Sequence, residues 1–273
     1  MRQIISLFSI RFRSAIQYRT AAFAGLVTQI VFGFILVMIL DGFYSSSGSS
    51  FKTTLSFRQV VDYIWLGQGL LAFLPWSHDK QIEQMIRTGN IAYELIKPLD
   101  LYLIWFIRAL AWRTAASILR AVPLFLFAFF ILPLVGLEEY ALRIPNSIDS
   151  FNFFFIAILG AILLGCSITV FQNIMIIWMT SAGGIASLMG TLVTLLSGMV
   201  IPLPLFPKWC QGILKILPFR GLVDAPFRLY MGHIPSNLLF GVIIHQIIWT
   251  TLFIIIGKFL LIPGFKKLSV QGG

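Results

Sequence analysis

Charge is scarce in this sequence. Asp, Glu, Lys and Arg make up 11% of its 273 residues, where a soluble domain carries about a quarter. With 58% hydrophobic residues, too little polar sequence remains to coat a soluble domain, and the chain reads as a membrane protein. Acidic residues are scarcer still, ten against twenty Lys and Arg. A proton-coupled carrier needs carboxylates near mid-membrane, and Asp62 is the one acid inside an apolar run, close to its end. The two cysteines, Cys166 and Cys210, form no CxxC pair. His78, His233 and His245 are scattered without paired ligands, which argues against a metal centre or a membrane-embedded metalloenzyme. No phosphate-binding GxxxxGK[ST] loop is present. Gly257-Lys258-Phe259 lacks both the upstream glycine and the hydroxyl residue. No nucleophile and base stand together, so the chain is not expected to be an enzyme.

What is present is apolar and helix-like. The net charge of +10 gathers at the ends of apolar runs, as membrane topology requires, rather than in a nucleic-acid footprint. Residues 3–19 read as a basic amphipathic helix lying in the membrane interface, with Ile4, Ile5, Phe8, Phe12, Ala15 and Ile16 on one face. Apolar runs predict six crossings near residues 21–40, 60–76, 115–134, 151–179, 185–201 and 238–262. Residues 101–112, marked by Tyr102, Trp105 and Trp112, read as an interfacial lead-in to the third, which Pro123 would kink. No Asp, Glu, Lys, Arg or His occurs between Ser150 and Pro207. The expected fold is an all-α membrane protein of one domain, 1–273, with an interfacial helix at 1–20 and a polar segment at 77–100. Twelve Lys and Arg fall on the side of the termini and of that segment, seven on the other. Both termini are therefore expected in the cytoplasm.

Two features interrupt the apolar pattern. Ala157, Ala161, Gly165, Thr169 and Asn173 in the fourth run, and Ala186, Gly190, Thr194 and Gly198 in the fifth, recur every four residues. Such small-residue stripes predict close helix packing, within one chain or between subunits. After them, Gly198, Pro202, Pro204, Pro207 and Pro218 break the chain into a segment, 202–236, that no straight helix can traverse. It reads as a re-entrant helical element on the outer side, since irregular backbone at membrane depth needs protein or water partners.

In the 77–100 segment, Ser77 can cap a helix with Asp79 in its first turn. Ile82, Met85 and Ile86 then form an apolar strip beside Lys80, Glu83 and Arg87. Gly89-Asn90 breaks that helix, Lys97-Pro98 stops the next, and Asp100 can cap the following crossing. Its mixed charge fits a protein partner better than an anionic lipid surface. The run Ile86-Arg87-Thr88-Gly89-Asn90-Ile91-Ala92-Tyr93-Glu94-Leu95-Ile96-Lys97-Pro98-Leu99 resembles integral-membrane permeases of the second class of ATP-binding-cassette exporters. So does the sequence from Leu196-Ser197-Gly198 through Ile201-Pro202, Phe206-Pro207 and Leu217-Pro218-Phe219 to Tyr230-Met231-Gly232. The likeness is greatest to the subgroup annotated for drug, antibiotic or viologen export. The resemblance implies that 77–100 is a coupling segment docking on a separate ATPase subunit, with Ile82, Met85, Arg87, Gly89, Tyr93, Glu94 and Lys97 as its coupling residues. It also implies a partner permease, identical or paralogous, a bacterial inner-membrane location, and ATP and magnesium bound by the ATPase rather than by this chain. A stand-alone channel or lipid scramblase is the competing reading, for which Gln29, Thr169, Gln172 and Asn173 would supply the polar path.

Overall fold

The computed structural model describes residues 2–17, 19–46, 55–145, 147–179 and 182–267. Every regular element among them is helical. The amphipathic helix α1 (Arg2–Ile16) turns into α2 (Arg19–Ser46). Helix α3 (Phe57–Leu70) runs into a 3-10 turn at Leu71–Phe73. The polar segment holds α4 (Lys80–Arg87) and α5 (Ala92–Leu95). Helix α6 (Leu101–Leu126) continues through a π-helical stretch, Phe127–Ile131, into α7 (Leu132–Leu134). Then come α8 (Ile148–Trp178), α9 (Ala182–Leu196), α10 (Lys208–Ile216), α11 (Asp224–Tyr230) and α12 (Leu239–Gly264).

Among the described residues, four helical stretches are long and apolar enough to cross a membrane: α2, Leu101–Leu134, α8 and α12. At 26 to 34 residues, each exceeds the ~20 that a hydrocarbon core requires. The second and fifth expected crossings fall short. Helix α3 has 14 residues and α9 has 15. The reason for α3 is burial: every residue from Val60 to Leu70 is shielded by the rest of the chain, so packing rather than lipid thickness sets its length. Helix α9 stops short of Gly198, whose φ of +90° leaves the right-handed helical region.

The interfacial lead-in expected at 101–112 is not a separate element. Helix α6 begins at Leu101 and carries Pro123 inside it without ending. The disturbance appears beyond the proline, as the π-helical stretch, a common way to absorb a local break in the hydrogen-bond ladder. Several starts are capped. Ser56 and Gln59 form a capping box at α3. Asp100 Oδ1 accepts from the Leu103 amide at 3.0 Å. The cap of α4 is Asp79, not Ser77: its carboxylate accepts from the Gln81 and Ile82 amides.

The main core surrounds α3. Trp65, fully buried, donates to the Tyr140 carbonyl at 2.7 Å and meets Phe34 of α2 edge-on. A Cβ on Gly33 would lie 2.7 Å from the Trp65 ring, so that glycine sets how closely α2 approaches. A second core, around Ile82, Ile91, Trp105 and Ile174, joins the polar segment to α6 and α8.

The small-residue stripes have a partner their spacing did not name. A Cβ on Gly165 would lie 3.2 Å from the Phe73 carbonyl oxygen, and one on Gly190 only 2.9 Å from that of Trp76. The two glycines receive the backbone of the segment joining α3 to α4. Thr194 bonds its own helix, at the Gly190 carbonyl, and Thr169 bonds Arg113. Gly190→Leu should lower stability by about 1–3 kcal/mol through overpacking. Gly42→Ala, at a position with open space around it, should leave it unchanged or slightly raised. Thermal unfolding of the two variants in detergent checks the contrast.

Candidate coupling site

The polar segment is fastened to the bundle from behind. Arg108 of α6, 7% exposed, places Nε 2.5 Å from Asp79 Oδ2 and Nη2 3.2 Å from Oδ1. Its Nη2 also donates to Gln81. The Asp79 amide donates to Asn173 Oδ1 of α8 at 2.8 Å. One turn and a half along α6, Arg113 donates to the Phe73 carbonyl at 2.9 Å and to the Thr169 hydroxyl. Gln172 donates to the Pro75 carbonyl at 3.1 Å. The chain from Phe73 to Gln81 is thus bonded at successive points to α6 and α8. This is how cations and amides within apolar helices are normally tolerated, by pairing with one another and with backbone carbonyls. Of the four residues a polar channel would use, Thr169, Gln172 and Asn173 each take part in these bonds, while Gln29 of α2 is buried with neither amide atom partnered.

Within the hairpin of α4 and α5, some expected coupling residues turn inward. Ile82 is fully buried in the second core. Glu94, 3% exposed, accepts from Trp105 Nε1 at 2.9 Å and lies 3.6 Å from Lys97 Nζ. Met85 is partly buried against the same core. Gly89, at φ +74°, reverses the chain so that the Ile91 amide returns to the Met85 carbonyl at 3.1 Å. Arg87, Tyr93 and Lys97 lie on the outside, with Tyr93 69% exposed. Ile96 beside them is 80% exposed.

At the far end, the 202–236 segment folds back against the bundle. A Cβ on Gly198 would lie 2.4 Å from the Tyr63 hydroxyl. Buried Pro202 leads into a 3-10 turn containing Pro204, exposed Pro207 precedes α10, and buried Pro218 opens a further 3-10 turn. Gln246 of α12 donates to the carbonyls of Ala157 and Gly221 at 2.9 and 2.8 Å. Asp224, fully buried, faces Arg228 at 3.4 Å and Arg220 at 3.7 Å. His245 bonds the Ile216 carbonyl at 3.2 Å.

A family model described as ABC-2 family transporter protein matches residues 26–272. The chain belongs to that family. It is therefore a multi-pass membrane permease, the transport component of an ABC transporter rather than its ATPase. No curated protein matches the sequence.

Sequence reasoning missed Arg108, Arg113, Asp79 and Trp105 as site residues. Arg108 and Arg113 had a signal: two cations five apart in an apolar run require partners. Those partners lie 27 to 56 positions away in sequence. Arg108→Gln should weaken the hold on α4 and lower stability by about 2–4 kcal/mol, since Asp79 loses its counter-ion. Asp79→Asn in the same background should add little, which a double-mutant cycle measures.

The His78 hydrogen bond, 2.7 Å to Glu83, and then the charge of Arg87, hold the Glu83 carboxyl below the usual carboxylate range. A lowered folded-state pKa gives stability that is present above the unfolded value, about 4.3, and lost as pH falls through the folded one. The melting-point gap between wild type and Glu83→Gln should accordingly close on acidification below pH 4.

Proposed function

We propose that this permease is the membrane half of an ATP-driven exporter, working as a pair of copies or with a paralogue, and that the α4–α5 hairpin docks on a separate ATPase subunit. The observation that carries the reading is the hairpin's two-sidedness. Its back is bonded to α6 and α8. Its front presents Arg87, Tyr93, Ile96 and Lys97, a mixture of aromatic, apolar and basic groups suited to a protein partner. ATP and magnesium belong to that partner. When the ATPases close, force on the front passes through Arg108, Asp79 and Asn173 to the inner ends of α6 and α8.

In the same reading all six apolar elements traverse the bilayer. Helices α3 and α9 do so as short, protein-wrapped crossings, completed by the 3-10 turn at Leu71–Phe73 with the chain to 76 and by the chain at 197–202. The bias of Lys and Arg toward the termini and the 77–113 region supports a cytoplasmic hairpin in a bacterial inner membrane. It leaves α1 in the cytoplasmic interface and the 202–236 segment on the outer side. There, tied to α8 and α12 by Gln246, the segment shapes the exit from a path between the two permeases. The motif resemblance supports export, of a drug- or antibiotic-like cargo.

The test is reconstitution with the cognate ATPase in proteoliposomes. Tyr93→Ala, with insertion and melting point retained, or Arg87→Gln with Lys97→Gln, with insertion retained, should reduce co-purification of the ATPase and ATP-dependent transport by tenfold or more. Gly89→Val, strained at a positive φ, should lower coupling while the inserted protein persists. Normal transport by all these variants would remove the hairpin from the coupling role.

A further inference from the structure

A cavity of about 470 Å³ opens between α1, α6, α8 and the start of α4. Four cations line it, Arg11, Lys80, Arg108 and Arg113, against one carboxylate, Asp79. Asp79 is already bonded to Arg108, so the lining carries an excess of positive charge. Arg11 is unusual for its helix. It lies on the half-buried stripe of α1 with Leu7, Phe8 and Ala15, and α1 packs along α6. Among the described residues neither Arg11 nor Lys80 has an ion pair, whereas Arg87, Lys97, Arg143, Arg220, Arg228 and Lys258 do.

Two buried polar side chains belong to the same lining. Asn173, 1% exposed, uses its oxygen on Asp79 and leaves Nδ2 without a partner. His78, 8% exposed, uses Nε2 on Glu83 and leaves Nδ1 without one. A buried polar nitrogen without a partner is costly, and both residues are part of the cavity lining. Half-exposed Trp112 stands at its edge, the kind of side chain found at a headgroup boundary.

We infer that this cavity binds the phosphate of an anionic ester. Guanidinium groups match phosphate oxygens in a planar fork. The Asn173 side-chain amide, whose Nδ2 has no partner, adds a further donor among the lining residues. Basic pockets between helices at the cytoplasmic face are suited to anionic headgroups. The volume admits a glycerophosphate, with any acyl chains left outside. The ester is either the headgroup of an inner-leaflet phospholipid or a soluble phosphate ester. The assignment rests on the cavity's own side chains and does not depend on the hairpin docking on an ATPase.

Native mass spectrometry of the full chain in mild detergent tests it, with phosphatidylglycerol, phosphatidylcholine and glycerol 1-phosphate as probes. The wild type should retain phosphatidylglycerol in preference to phosphatidylcholine. Arg11→Gln with Lys80→Gln should weaken that retention at least tenfold. Arg2→Gln with Arg13→Gln, an equal loss of charge outside the cavity, should not. Displacement by glycerol 1-phosphate would assign the site to a soluble ester, and failure to displace would assign it to the lipid headgroup. Equal retention by all three proteins, or no preference over phosphatidylcholine, would overturn the inference.

Discussion

Two arginines in an apolar helix organise the hairpin end of this molecule. Arg108 and Arg113 of α6 cannot rest against hydrocarbon, and the structure supplies each with oxygen acceptors from elsewhere in the chain. Those acceptors lie mostly on one extended stretch, from Phe73 to Gln81, and meeting them draws that stretch into the bundle between α6 and α8. Gly165 and Gly190 make room for its backbone. Asn173 and Gln172 complete its hydrogen bonds. In a lipid environment, where apolar burial gives helices little reason to choose each other, such bonds and close contacts decide the arrangement.

The same constraint joins fold to function. The stretch that satisfies the arginines also provides the N-cap of α4, so the hairpin is an extension of the bundle rather than a loose loop. Glu94 reinforces it by accepting from Trp105. In the coupling role proposed for it, a hairpin held this firmly at its back and open at its front would transmit force with little lost to local bending. At the opposite end Gln246 ties the folded-back segment to α8 and α12, so α8 touches both ends of the proposed path.

Much of this was legible in the residues, and the gaps have physical causes. Helices α2, α8 and α12 follow from long apolar runs, because lipid exposure demands continuous hydrophobicity. Asp100 as a cap and the break at Gly89 follow from local chemistry. Helix α3 was harder: enclosed by protein, it answers to packing, and its 14 residues do not obey the bilayer ruler. Residues 101–112 resembled an interfacial lead-in because Tyr102, Trp105 and Trp112 look like interfacial groups, and nothing in the string shows that Trp105 turns inward to Glu94. The stripes at Gly165 and Gly190 announced a close approach, but a backbone carbonyl leaves no sequence mark of its own. Glu94 reads as a surface acid in the string and is a buried acceptor in the fold. The membership in the ABC-2 family agrees with the motif resemblance and says nothing of these contacts.

The central claim is that the hairpin and the inner ends of α6 and α8 move as one body when the motor acts. Spin labels at Gln84 and Met179, both exposed, test this directly in the reconstituted complex after Cys166 and Cys210 are replaced. Pulsed electron–electron resonance should give the same distance in the nucleotide-free and ATP-bound states to within about 2 Å, the size of an ordinary helix adjustment. A change well beyond that would show the hairpin moving against the bundle, and the arginine-held connection would not be the transmitting element.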